Sequence, residues 1–240
     1  MQALLPIKNI SIAKERLSRL LDSAQRQALS YAMIHDVLAV LAEQPEISGV
    51  ALVSEDPIAA DLAFEYGAEL VTEASLKAAG LNKVVQATVS MFALRNITDV
   101  MIVHGDLPLV NRTALSELIA LHDSLDGPRV TVAPDRHREG SNCLLCSPAA
   151  SFNFMYGTDS FIRHCASAKK LKFKLQVLDD PDLGCDIDYP EDLACLLHRV
   201  ETGNARQTVK CLSKHGITAE TLKGSGVEPF SQGHEYEWVS

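Results

Sequence analysis

Val100-Met101-Ile102-Val103-His104-Gly105-Asp106-Leu107-Pro108-Leu109 is the stretch from which the fold can be read. Four consecutive apolar residues leave no polar face. A strand over 99–104 is therefore buried on both sides, as a central strand of a parallel sheet is. The strand runs straight into an acid and then a proline. In open parallel sheets ligands gather beyond the carboxyl ends of the strands. Asp106 there would supply hard oxygen donors to Mg²⁺, and it would serve equally as an ordinary turn residue.

Upstream, the pattern alternates between short apolar runs and helical periodicity. Strands are expected over 3–7, 49–53 and 69–72. Asp22 and Gln25 have the spacing of a capping box, followed by an apolar helix face of Leu29, Met33, Val37, Val40 and Leu41. Asp56-Pro57 opens a second helix, which Gly67 closes, and a third spans 82–94 with Val85, Val89 and Phe92 on one side. Downstream, helices are expected over 113–122, 160–171 and 190–200, with strands over 130–133, 143–146 and 173–178. This order predicts an α/β fold with a mostly parallel central sheet, flanked by helices and carrying an inserted hairpin. One domain over 1–201 accounts for it. From Thr202 the pattern weakens into glycines and polar residues, so 202–240 reads as an appended extension that is flexible or packs on a neighbouring subunit.

Composition narrows the function. The 240 residues carry a formal charge of −9, whereas a general nucleic-acid binder needs basic excess. No apolar run spans a bilayer, and Met1 to Lys8 lacks the form of a signal peptide, so a cytoplasmic chain is expected. In a reducing compartment its six cysteines stay unpaired. Cys143 and Cys146 have the spacing of half a zinc site, but residues three apart on a strand face opposite ways, so both read as buried structural thiols.

Three other stretches carry chemistry. In Asp186-Ile187-Asp188-Tyr189-Pro190-Glu191-Asp192 the first two acids alternate on an extended segment and share a face. With Asp106 they would hold Mg²⁺; alternatively Asp188 caps the last helix, and Asp192 reads as solvated. After the first strand, Lys8, Lys14 and Arg16 place three cations within nine residues, suited to a triphosphate. Pro134 to Asn142 offers Arg136, Arg138, a Gly140 that lets backbone approach a ligand, and the neutral donors Ser141 and Asn142. Gly157 and Ser160 precede a helix, whose first amides suit an anion. No G-x-G-x-x-G follows the first strand, which disfavours a dinucleotide oxidoreductase.

Taken in order, Pro6-Ile7-Lys8, Ala13-Lys14-x-Arg16-Leu17, Gly80-Leu81-Asn82, Gly105-Asp106-Leu107-Pro108, Ala133-Pro134-Asp135-Arg136, Glu139-Gly140-Ser141-Asn142, Gly157-x-x-Ser160-Phe161-x-x-His164 and Asp186-Ile187-Asp188-x-Pro190-Glu191-Asp192-Leu193 resemble the 2-phospho-L-lactate guanylyltransferase family, from about residue 3 to 198. The resemblance implies a fold of the nucleotide-diphospho-sugar transferase (GT-A) type, GTP as donor and Mg²⁺ as cofactor. It implies 2-phospholactate, phosphoenolpyruvate or 3-phosphoglycerate as acceptor, and a product used in building coenzyme F-420. On that reading Lys8, Lys14, Arg16, Asn82 and Asp106 bind the nucleotide, with Lys14, Arg16 and Asp106 acting in catalysis. Asp106, Asp186 and Asp188 bind the metal. Ser141, Asn142, Gly157 and Ser160 seat the acceptor; Asn82 reads the base or simply begins its helix. Two departures stand out: Ser141 replaces the usual threonine, and Tyr156-Gly157-Thr158-Asp159-Ser160 replaces Phe-Gly-Pro-Gly-Ser. Asp159 and Thr158 would read the hydroxyl of 3-phosphoglycerate, or Asp159 would cap the helix that follows. The competing readings are a cytidylyl- or molybdopterin-type transferase of the same fold, and a non-catalytic nucleotide sensor. A homodimer is compatible with either.

Overall fold

The computed structural model describes residues 1–7, 10, 14–200 and 205–229. Each strand of the sheet is short, the central ones are buried, and each is tied to its neighbour by register. β1 (Gln2–Pro6), β2 (Gly49–Val53), β3 (Glu69–Val71) and β4 (Val100–Val103) run parallel. β5 (Arg129–Pro134) and β6 (Ser141–Ser147) form the expected hairpin, and β7 (Lys174–Val177) runs parallel to β5. The order across the seven strands is β3-β2-β1-β4-β6-β5-β7. β6 alone is antiparallel to its neighbours, inserted between β4 and β5. The chain builds outward from β1 to β3 and then returns to the other side of β1 with β4. The crevice between the carboxyl ends of β1 and β4 is therefore the topological switch point, where such sheets bind ligands.

Alternation along the central strands divides the core into two layers. Leu5, Leu52, Met101, Val103, Cys143 and Leu145 pack on one face with α1 (Ser23–Glu43), α2 (Ile58–Tyr66) and α5 (Arg112–Asp123). Leu4, Ala51, Ile102, Leu144 and Cys146 face the other side, against α4 (Leu81–Leu94) and α6 (Ser160–Leu171). Cys143 and Cys146 thus belong to different layers, both free and buried, and burial pushes both thiols up. The capping box on α1 is formed in both directions, and Gly67 ends α2 at φ 62°. A short α3 (Glu73–Leu76), begun by a Thr72–Ser75 capping box, has no apolar period and was not expected from the sequence.

A third cluster lies beneath the carboxyl edge of the sheet. Leu17, Leu21, Leu109 and Ile187 pack there with α7 (Pro190–Arg199), α8 (Arg206–Lys214) and α9 (Ala219–Gly224). Residues 205–229 of the stretch read as an extension are thus two helices on the body of the domain, with Leu212 and Leu222 buried. The Asp36 carboxylate of α1 accepts from the amides of Gln207 and Thr208 at 3.0 and 2.8 Å and from the Thr208 hydroxyl at 2.7 Å, holding the start of α8. Among the described residues no helix is long and apolar enough to cross a membrane.

Candidate active site

β1 and β4 deliver the two charges at the centre of the crevice. Lys14 follows β1 in a left-handed conformation at φ 57°, and Asp106 follows β4 by three residues. The Lys14 ammonium lies 2.6 Å from Asp106 Oδ2 and 2.8 Å from Asp188 Oδ1. Its side chain is only 8 % exposed, whereas both carboxylates reach solvent. Burial alone would lower the Lys14 pKa, but Asp106 and Asp188 together outweigh it and drive it well up. Burial likewise opposes ionisation of Asp106, and Lys14 with His104 overcomes it, leaving that carboxyl below the usual range. Arg16 reaches Asp188 at 3.4 Å and lies over the Tyr189 ring at 4.6 Å, exposed at the mouth. Lys8, the remaining cation of this group, lies outside the described residues.

The acidic segment is brought to the crevice by backbone and amide contacts. Ile187 N–H donates to the Asp106 carbonyl at 3.1 Å. Asn142 donates from Nδ2 to the Leu183 carbonyl at 3.0 Å and to Asp186 at 3.3 Å. Asn142 therefore brackets this segment. Burial first, and then the nearby Asp106, push Asp186 up to about 7. The expectation that Asp192 is solvated fails. It is buried, its Oδ2 accepts from the amides of Asp188 and Tyr189 at 2.8 and 2.6 Å, and its Oδ1 contacts Arg136. Those contacts begin α7, so Asp188 is not its cap.

Two carboxylates, Asp106 and Asp188, thus share one buried ammonium, with Asp186 nearby on Asn142. That donor set fits a divalent cation. Among the described residues, however, no three acidic, histidine or cysteine groups form a ready metal cage. A Mg²⁺ ion bound here would need substrate phosphates and water to complete its shell.

Ser141 and Ser160, two of the residues expected to seat the acceptor, also come together. The first amides of α6 are already used: Ser160 N–H bonds the Gly157 carbonyl and Phe161 N–H the Glu139 carbonyl, at 3.1 and 3.0 Å. An anion there has hydroxyls to meet rather than these amides. Ser160 Oγ accepts from Ser141 N–H at 3.0 Å, and Ser141 Oγ lies 2.9 Å from His164 Nδ1. Gly157, at φ 117°, is exposed in the loop before α6. Gly140 does not open backbone to a ligand: a Cβ there would stand 2.9 Å from Asp135 Oδ2, which takes the Gly140 amide at 2.8 Å. Arg138 pairs with Asp179 at 2.6 Å and covers the Phe161 ring. Asn82 is not the cap of α4, a place held by Gly80. Its amide bonds the Tyr156 carbonyl at 2.9 Å and accepts the Tyr156 amide at 2.6 Å. Asp159 precedes α6 at φ 54°, is exposed, and makes no capping hydrogen bond.

Similarity to known proteins agrees with this geometry. The chain matches the model "Guanylyl transferase CofC like" over residues 1–230. It is 35% identical over 195 residues to a phosphoenolpyruvate guanylyltransferase of Roseiflexus castenholzii, covering 81% of this chain and 86% of the relative. It is 31% identical over 226 residues to a 2-phospho-L-lactate guanylyltransferase of Methanocaldococcus infernus, covering 94% and 96%. Among solved structures, a candidate nucleotide-diphospho-sugar transferase from Desulfovibrio desulfuricans G20 superposes with a TM-score of 0.73 at 12% identity, over 92% of this chain and 98% of that one. That likeness bears on the fold alone. The family match takes in the described helices α8 and α9, so they lie within the family's span. The chain belongs to the CofC-like guanylyl transferase family.

Proposed function

We propose that this chain transfers GMP from GTP to the phosphate of a three-carbon phospho-acid and releases pyrophosphate. The observation that carries the reading is the buried Lys14 between Asp106 and Asp188 at the switch point of the sheet, in a chain of this family. A phosphate oxygen of the acceptor attacks the α-phosphorus of GTP, and the bond from that phosphorus to the β-bridging oxygen breaks. The electron pair leaves with pyrophosphate. No protein nucleophile is required, so the chain contributes position and charge. Lys14 and Arg16 neutralise the triphosphate and then the leaving pyrophosphate. Ser141 and Ser160 hold the acceptor. Mg²⁺, held by Asp106 and Asp188 with Asp186 beside them, would offset the charge of the phosphates when bound.

For the acceptor, the relatives point to phosphoenolpyruvate or 2-phospho-L-lactate. The earlier case for 3-phosphoglycerate needed Asp159 in a desolvated pocket, since an unpaired polar group discriminates strongly only when buried. Asp159 is exposed. The reading places the chain in the cytoplasm, in the synthesis of coenzyme F-420. The test is incubation with GTP, Mg²⁺ and each of the three acids, with pyrophosphate and product mass read out. Release from CTP but not GTP would instead support the cytidylyl alternative.

A further inference from the structure

The 155–160 loop is fastened by side chains to which the reading above gives no role. Asn82 clamps both backbone groups of Tyr156. The Tyr156 ring meets His104 and His164 edge-on, with centroids 5.2 and 4.8 Å apart. His164 itself is fully buried and bonded at both nitrogens: Nε2 is 2.9 Å from the Met155 amide, and Nδ1 is 2.9 Å from Ser141 Oγ.

Donor and acceptor counting settles the direction of these bonds. A backbone N–H can only donate, so His164 Nε2 accepts from Met155. In a neutral imidazole the proton then sits on Nδ1, which donates to Ser141 Oγ. Burial, with help from His104 and Arg163, keeps the ring neutral, its pKa pushed down to about 3. A serine hydroxyl has one proton and two lone pairs. One lone pair of Ser141 is taken by His164, and its proton is unspent. Ser160 is in the same position, having accepted the Ser141 amide. Two hydroxyl protons are therefore available on neighbouring serines at the head of α6, where the Ser160 and Phe161 amides are already used.

We propose that His164 is a positioning residue for the acceptor: by donating to Ser141 Oγ it turns the serine proton outward to the acceptor's anionic group, and by accepting from Met155 it holds the 155–160 loop around that group. The inference rests on the guanylyltransfer reading. His164 touches neither substrate; it acts through Ser141.

Asparagine and glutamine separate the two halves of this role, because their terminal amides overlay Nδ1 and Nε2 of histidine respectively. His164→Gln keeps an acceptor for Met155 and loses the bond to Ser141. Its KM for the phospho-acid should rise about tenfold or more, the scale of one hydrogen bond to a charged group, with KM for GTP unchanged. His164→Asn should recover most of that loss. Adding Ser141→Ala to His164→Gln should cost little further, since both changes remove one contact. Equal rises in both KM values, no recovery in His164→Asn, or full multiplication of the two losses would overturn the proposal.

Should a variant not fold, the wild-type chain still decides. Nitrogen-15 NMR should show His164 protonated on Nδ1 and bare on Nε2 from pH 5 to 8, with its signals moved by the phospho-acid and not by GTP. The opposite tautomer, or no response to the acid, would refute it. If the wild type released no pyrophosphate from GTP with any acid, guanylyltransfer itself would fall, whereas the tautomer would remain separately readable.

Discussion

Lys14 is the residue on which the site turns. An ammonium with so little exposure is stable only because two carboxylates stand within 2.8 Å. Lys14 in turn helps hold the Asp106 carboxyl below the usual range. A triphosphate competes for the same lysine. Lys14→Ala is expected to raise KM for GTP far more than KM for the acid, and Asp106→Asn and Asp188→Asn to lower kcat by about a hundredfold or more. Steady-state kinetics with each substrate varied in turn checks this, and wild-type turnover in either aspartate variant would remove that residue from the site. Asp159 makes the opposite case. Its backbone is left-handed and its side chain makes no capping bond, so glycine suits the position at least as well. Asp159→Gly should leave the ratio of kcat/KM for phosphoenolpyruvate and 3-phosphoglycerate unchanged. A shift towards phosphoenolpyruvate would restore the aspartate as a specificity group.

Among the elements, α8 and α9 depend on a contact that crosses the chain. Asp36 accepts three hydrogen bonds from the start of α8 within a buried setting. Removing the carboxylate leaves two amides and a hydroxyl without their partner. Asp36→Ala should cost about 2 kcal/mol, on the order of 5 °C in Tm. Hydrogen exchange should quicken across 206–214 before the sheet is affected. Uniform loss of protection throughout the domain would mean that α8 is no separate unit. Because Leu212 and Leu222 share a cluster with Leu17 and Ile187, the same helices support the segments that carry Arg16 and Asp188.

For the molecule as a whole, buried histidines make stability depend on pH. His122 is fully buried between the Thr131 and Ser147 hydroxyls at 3.0 and 2.9 Å. Burial, with Arg129 in support, pushes it down to about 4. In the unfolded chain it titrates near the ordinary histidine value of about 6.5. Between these values the unfolded state binds the extra proton, so this contribution is complete above about 6.5 and is lost as pH falls towards 4. Asp186, raised to about 7, acts in the opposite sense, favouring the folded state at lower pH, so the wild-type profile alone is ambiguous. The difference between wild type and His122→Gln isolates the ring. Urea unfolding should show the wild type's advantage shrinking from pH 7.5 to pH 5, by up to about 1.4 kcal/mol per pH unit within the window. A constant difference would mean that His122 does not titrate in this way.

The layered sheet was legible because local chemistry and burial agree along it. The apolar run at 100–103, the Asp22–Gln25 box and the Gly67 stop each constrain the backbone within a few residues, and each is found as expected. The approach of the segments after β1 and β4, with Lys14 and Asp106, was legible too, since strand ends of a parallel sheet lie together at one edge, but Asp188 sits on no strand end and reaches the crevice through the Ile187 amide on the Asp106 carbonyl. What could not be read was the partner of each polar side chain. Asn82 and Tyr156 are 74 residues apart, Ser141 and His164 are 23 apart, and Asp36 and Thr208 are 172 apart. Nothing in the local spacing of an asparagine, a histidine or an aspartate says which distant backbone group it will meet. Hydrophobic period and turn chemistry act over a few residues and are written in the sequence. A buried hydrogen bond exists only once packing has removed water and brought its two ends together, so the sequence alone determined the frame of the site and the tertiary structure decided which polar side chains hold one another in place.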